Sequence, residues 1–264
     1  MSIAPSTSLK QRLAQAAPSL GGWLTLGGSR LAEVLAAAGY DWVALDLEHT
    51  GIDLGDAADC IAAIRAAGVP VLVRLPSHDA TLIKRLLDAG ADGLIAPDVR
   101  SLDQVDALHA AMHYPPLGRR GVGLWRAQGW GDDFDEYVRT WPDRAVLAIQ
   151  IESAEAVADA AALLAHPAVD AALVGPYDLS ASLGVPGETR GPAVQEALGA
   201  VRAAAAAAHT PVGVHVVAPN PAHLRDVLDA GDRFVAYGTD VQLLLSEARR
   251  GLATVRDASG GLVA

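Results

Sequence analysis

The polar residues of this 264-residue chain gather where its apolar runs end. DWVALDLEHT (41–50) passes from apolar residues into Asp46, Glu48 and His49, and VPVLVRL (69–75) delivers Arg74. RAVLAIQIE (144–152) closes on Gln150 and Glu152, and AALVGP (171–176) leads through Gly175 and Pro176 into Tyr177 and Asp178. RFVAYG (233–238) runs into Thr239 and Asp240, while His215 sits inside PVGVHVV (211–217). Residues two apart on a strand share a face, which pairs Asp46 with Glu48 and Gln150 with Glu152. Charged groups on otherwise apolar strands are costly unless they are hydrogen-bonded or meet a ligand.

The residue types suggest the chemistry. Glu152 and Asp178, with no histidine or cysteine near either in the sequence, make a hard oxygen pair suited to Mg2+ or Mn2+, with waters and substrate completing the shell. Zinc would want more nitrogen or sulfur. Asp46 and His49 read as an acid–base pair, the carboxylate fixing the imidazole tautomer. Arg74 could hold a substrate carboxylate or stabilise a developing enolate oxygen. Asp240 opens a helix, where an anionic cap is expected. His78, His109, His113, His166, His209 and His223 fall in helices or loops and are expected at the solvated surface; His215 has no decisive face.

Several classes are excluded. The two lysines, Lys10 and Lys84, lie away from every strand end, so Schiff-base chemistry has no candidate nucleophile and no pyridoxal cofactor is expected. GxxxxGK[ST], GxGxxG and GxSxG motifs are all missing, which removes nucleotide hydrolysis, dinucleotide binding and serine esterase chemistry. A net charge of −11, from 31 acidic and 20 basic residues, argues against nucleic acid or an anionic membrane as partner. The polar N-terminal stretch lacks an apolar signal region, no run is long enough to span a membrane, and Cys60 is the single cysteine. A cytoplasmic protein is expected.

Eight apolar runs, at 21–27, 41–48, 69–75, 93–97, 144–152, 171–176, 211–217 and 233–238, alternate with Ala-rich segments of helical period. Gly39, Gly68, Gly90 and Gly231 follow such segments as left-handed stops. Eight parallel strands with covering helices in about 250 residues predict a single (β/α)8 barrel, with an open doubly wound sheet as the alternative. Residues 1–20 are a leader or helix and 21–264 the barrel domain. The stretch 114–143, rich in Gly, Arg and aromatics, is expected to be a long ordered loop bordering the site or a subunit interface.

Four stretches together, DWVALDLEHT (41–50), VPVLVRLP with IKRLLDAGADGLIAP (69–97), AIQIESAEAV (148–157) and LVGPYDLSASLG (173–184), resemble the HpcH/HpaI (4-hydroxy-2-oxoheptane-1,7-dioate) aldolases, metal-dependent pyruvate aldolases. YPPLGRRGVG (114–123) belongs to the same likeness, which runs from about Gly21 to the last helix. The resemblance implies Glu152 and Asp178 as ligands of a divalent ion (Mg2+ or Mn2+, with Co2+ a third candidate), Arg74 at the pyruvyl oxygen, and His49 with Asp46 as the acid–base pair. Gln150 and the backbone around Gly175, Pro176, Tyr177 and Asp178 would line the pyruvate pocket. Asp88 matches a position that reaches a neighbouring subunit's site. Family members are commonly hexamers, trimers of dimers exchanging the last helix.

The implied reaction is reversible cleavage of a 4-hydroxy-2-oxo acid to pyruvate or hydroxypyruvate and an aldehyde, through an enolate that the ion stabilises. Oxaloacetate decarboxylation is the expected side activity. Asp98, Tyr177 and the loop at 124–134 depart from the pattern and are expected on the aldehyde side. A CoA-thioester lyase of the malyl-CoA or citrate lyase type is the alternative, with Arg119, Arg120 and Arg126 as its candidate phosphate contacts. A non-catalytic ligand-binding oligomer on the same fold is the other.

Overall fold

The computed structural model describes residues 8–15 and 17–258. The strands are β1 (Ser19–Leu24), β2 (Trp42–Asp46), β3 (Val71–Arg74), β4 (Gly93–Ala96), β5 (Val146–Ile151), β6 (Ala171–Val174), β7 (Val212–Val216) and β8 (Phe234–Thr239). Each pairs in parallel with its sequence neighbours, and β8 pairs with β1 to close the barrel. The first half carries α1 (Leu9–Leu13), α2 (Ser29–Ala37), α3 (Leu54–Ala66), α4 (Ala80–Ala89), α5 (Leu102–Met112) and α6 (Phe134–Thr140). The second carries α7 (Ala154–Ala158), α8 (Ala160–Leu164), α9 (Pro176–Ser182), α10 (Pro192–Ala208), α11 (Pro221–Asp229) and α12 (Asp240–Ala258).

Period-2 alternation divides the apolar residues into two cores. One face of the strands packs on the helices, through residues such as Val43, Val73 and Ile149; the other fills the barrel with Trp42, Leu72, Ile95 and Phe234. Trp42 stacks on Phe234 with ring centroids 4.4 Å apart, and the indole fits because Gly21 leaves room: a β-carbon there would stand 2.4 Å from the ring. Leu9 and Leu13 of α1 join this inner cluster. The stops at Gly39, Gly68, Gly90 and Gly231 all have positive φ, and Gly90 is itself the left-handed cap of α4.

Some elements differ from the sequence reading. The segment 154–165 is two short helices, because Asp159 leaves helical geometry between them. The unexpected α9 starts directly after β6, with Pro176 at its first position, where a missing N–H costs nothing. The stretch 114–143 is no plain loop: it holds α6 and two 3-10 turns, Arg126–Gly131 and Trp141–Asp143. Arg120 organises it. Its fully buried guanidinium pairs with Asp88 at 2.6 Å, bonds the Tyr137 hydroxyl at 3.0 Å, and lies over the Tyr114, Tyr137 and Trp141 rings.

His113 is the histidine that departs most from its expected place. It is 6% exposed, and its ring lies tilted against that of His109 with centroids 4.4 Å apart. Burial, together with the charges of His109, Lys10 and Arg120, pushes its pKa down to about 4. His109 is half-buried rather than solvated, and His166 lies 3.2 Å from Asp106. Asp240 is no simple cap for α12. Its carboxylate accepts from the Thr25 and Leu26 amides at 3.0 and 2.8 Å, bracing the end of β1 against β8, while Thr239 caps the helix. No described helix is long and apolar enough to cross a membrane.

Candidate active site

The ends of β1, β2, β3, β5, β6, β7 and β8 surround a cleft of about 800 Å³, lined among others by Trp23, Asp46, His49, Arg74, Gln150 and Asp178. This is the C-terminal face of the barrel, where the loops following the strands build the site. Asp46 and Arg74 are register partners on β2 and β3. Arg74 Nε and Nη2 donate to Asp46 Oδ1 and Oδ2 at 2.9 and 2.6 Å, and Nη1 reaches Glu48 Oε2 at 2.9 Å. Burial alone would raise the Asp46 pKa; the hydrogen bonds and charge of Arg74 outweigh it and hold the carboxyl below its usual range. Glu48 keeps a net rise from burial, only partly offset by Arg74.

The expected pairing of Asp46 with the His49 imidazole is not formed. Arg74 and the Trp23 indole, at 3.3 Å, take the side chain of Asp46, which meets His49 only through its backbone amide at 3.4 Å. The exposed His49 ring instead lies 3.8 Å from Glu48. The cause is register: pairing of β2 with β3 fixes a guanidinium beside the carboxylate, and the turn after β2 carries His49 outward.

Across the cleft, Gln150 Nε2 donates to Glu152 Oε2 at 3.0 Å, and the Asp98 amide donates to Glu152 Oε1 at 2.7 Å. Asp98 therefore acts through its backbone, held at φ +50. Burial, with the charges of Asp178 and Glu48, raises the Glu152 pKa to about 7. Asp178 stands in the first turn of α9. A β-carbon built on Gly175 would lie 2.8 Å from Glu152 Oε2 and 3.5 Å from Asp178 Oδ2, so both carboxylates converge on one point. Gln150 Oε1 is buried without a partner beside them. Two converging carboxylates, one destabilised as an anion, and an orphaned amide oxygen fit a divalent cation with oxygen ligands. No cluster of three or more His, Cys, Asp or Glu with metal-site geometry occurs among the described residues, so such a cation would take its other ligands from water or substrate.

The stretch at Gly175, Pro176 and Tyr177 offers less than the sequence suggests. The Gly175 amide donates to the Ile151 carbonyl at 3.3 Å and proline has none, which leaves Tyr177, in the first helical turn, to offer a free amide. Asp88 is away from the rim, engaged by Arg120 and by Gln128 at 3.1 Å. Trp23 escaped the sequence reading, and His215, left there without a decisive face, proves to line the site. Trp23 is a buried shelf with the Arg74 guanidinium 5.1 Å from its ring centre, and the His215 ring lies tilted against the same indole with centroids 4.6 Å apart. Burial, with the charge of Arg74 acting in the same direction, pushes His215 down to about 4, so it is neutral. Only parity along β1 and β7 could have hinted that the two rings meet.

Fold and rim together define a barrel enzyme with an acidic, arginine-braced site at its strand ends. The model of the HpcH/HpaI aldolase/citrate lyase family matches residues 20–247. A hydroxypyruvate/pyruvate aldolase of Paraburkholderia phytofirmans is 40% identical over 94% of this chain and 97% of its own. A 4-hydroxy-2-oxovalerate aldolase of Rhodococcus jostii is 37% identical over 92% and 93%. The crystal structure of an HpcH/HpaI aldolase/citrate lyase family protein from Burkholderia cenocepacia is 39% identical, covers 94% of this chain and 98% of its own, and superposes with a TM-score of 0.89. The chain belongs to the HpcH/HpaI aldolase/citrate lyase family.

Proposed function

We propose that this chain is a divalent-metal-dependent aldolase that reversibly cleaves 4-hydroxy-2-oxo acids to an aldehyde and pyruvate or hydroxypyruvate. The approach of Glu152 and Asp178 to one point beside Gly175, in the cleft that Arg74 also lines, carries the reading. The names of the relatives in Paraburkholderia phytofirmans and Rhodococcus jostii support it. Glu152 and Asp178 would hold Mg2+, Mn2+ or Co2+. When bound, the ion supplies Lewis acidity to the 2-oxo acid.

The chain's own residues do the rest. Arg74, fixed by Asp46, Glu48 and the face of Trp23, presents positive charge where the enolate oxygen develops. The exposed His49 takes the proton of the 4-hydroxyl as the C3–C4 bond breaks; the bond electrons pass into the enolate, and C4 leaves as the aldehyde carbonyl. Proton return to C3 completes the donor. Gln150 and the Tyr177 amide orient the 2-oxo acid. Oxaloacetate decarboxylation follows from the same enolate as a side reaction. Of the three arginines a CoA-thioester reading would use, Arg120 is buried among aromatic rings and is taken out of reach of a phosphate, while Arg119 and Arg126 are exposed.

The α12 helix is buried only at Asp240, and Leu244, Leu252 and Val255 lie exposed along it. This supports the exchange of α12 between subunits of a hexameric trimer of dimers. The test of the activity uses chelator-treated protein with pyruvate or hydroxypyruvate and an aldehyde. The expected result is a 4-hydroxy-2-oxo acid formed only after Mg2+, Mn2+ or Co2+ is added. No product from either donor with any of the three overturns the proposal.

A further inference from the structure

The cleft does not stop at the carboxylate rim. Pro176, Thr189, Arg190, His215 and His223 line it and also line a second hollow of about 450 Å³ beside α10 and α11. Arg190 therefore stands at the junction of the two spaces, on the segment between α9 and α10. It is exposed, and its guanidinium has no hydrogen-bond or ion-pair partner among the described residues. The hollow's other arginine is spent: Arg202 holds Asp232 through bonds of 2.7 and 3.0 Å. Asp226 lines the same hollow without pairing to either arginine, so the charge of Arg190 is not directly neutralised within the chain.

The rim itself is acidic, with Asp46, Glu48, Glu152 and Asp178 against the single guanidinium of Arg74. Given the proposed function, on which this inference rests, cation and arginine at the rim serve the 2-oxo acid. The aldehyde must reach C3 of that donor from the open part of the cleft, and the free positive charge along that course is Arg190. A guanidinium fork matches the oxygens of a carboxylate or phosphate and offers a neutral chain nothing comparable.

We propose that Arg190 selects acceptor aldehydes that carry an anionic group, a carboxylate or a phosphate, at the end remote from the reacting carbonyl. The side chain is a specificity determinant acting on the acceptor. Asp226 moderates it by lowering the positive potential of the same hollow.

The experiment compares matched acceptors with pyruvate as donor: glyceraldehyde 3-phosphate against glyceraldehyde, and succinic semialdehyde against butanal. In Arg190→Gln the ratio of kcat/KM for the anionic over the neutral member falls about tenfold, mainly through KM, and Arg190→Lys retains part of it. Asp226→Asn raises the ratio. A fall confined to one pair identifies the anion as phosphate or carboxylate. An unchanged ratio in both pairs, or equal losses for charged and neutral acceptors, overturns the inference. Metal-dependent exchange of the pyruvate methyl protons needs no acceptor and separates the two failures. Wild-type exchange with an unchanged selectivity ratio sinks only the role of Arg190, whereas no exchange in the wild-type protein sinks the aldolase reading beneath it.

Discussion

Asp46 and Arg74 face each other as register partners on neighbouring strands and are joined by two nearly parallel bonds of 2.9 and 2.6 Å. This fork fixes the guanidinium plane, and the Trp23 indole braces both ends, donating to Asp46 and underlying Arg74. Asp46→Asn leaves an almost buried cation with one partner fewer, a change that costs up to about 3–5 kcal/mol in a fully buried pair. The expected outcome is a drop in melting temperature together with at least a hundredfold loss of kcat/KM. Arg74→Lys keeps the charge but not the fork, and should lose at least tenfold in kcat/KM with a smaller thermal shift. Steady-state kinetics beside thermal melts check both.

Gly175 separates the two converging carboxylates, and any side chain there intrudes on Glu152. Glu152→Gln, Asp178→Asn and Gly175→Ala should each lower Mn2+ retention at least tenfold, measured by equilibrium dialysis, while circular dichroism stays that of the parent. Glycine at 175 has an ordinary φ of −92, so alanine adds crowding rather than backbone strain. Undiminished retention in all three variants would remove these residues from the cation site.

No lysine is placed to attack a carbonyl in the cleft. Lys10 bonds Asp170 and the Ala145 carbonyl near α1, and Lys84 lies on α4. Pyruvate with borohydride should leave the intact mass unchanged. A covalent adduct would establish Schiff-base chemistry instead.

The buried His113 sets a pH dependence of stability. Its pKa is about 4 when folded and about 6.5 when unfolded, so between these values the unfolded chain binds more protons. Stability rises with pH across that window: the histidine's contribution is complete above about 7 and is lost as pH falls from about 6.5 to 4, by up to roughly 3 kcal/mol. His113→Phe should flatten part of this dependence. Urea midpoints for both proteins at pH 7.5 and 5, at constant m, measure the difference.

Much of the fold was legible because its signals are local. Glycine stops and apolar runs of strand length need no partner to be read, and the eight strands lie where they were expected to within a few residues. The pairing of Gln150 with Glu152 follows from period two alone. The α9 helix left a sequence signal, Pro176 followed by Asp178 in its first turn, but seven residues gave too little periodicity to recognise it. What stayed hidden depends on contacts between distant segments. The Asp46 carboxylate had His49 three residues away in sequence and Arg74 beside it across the sheet, and the sheet decided. Trp23 and His215 meet across β1 and β7, and Asp98 supports Glu152 through an amide that no side-chain pattern reveals. Arg120 belongs to the same group, a basic residue in a Gly-rich stretch whose burial only the fold reveals.

Everything proposed for this cleft turns on its making an enolate from a 2-oxo acid with the help of a divalent ion held by Glu152 and Asp178. The most direct measurement is NMR of pyruvate in D2O with chelator-stripped protein, before and after addition of Mg2+ or Mn2+. Methyl-proton exchange should appear with the metal and be lost in Glu152→Gln. Exchange that persists in the stripped protein, or none with either ion, would contradict the proposal.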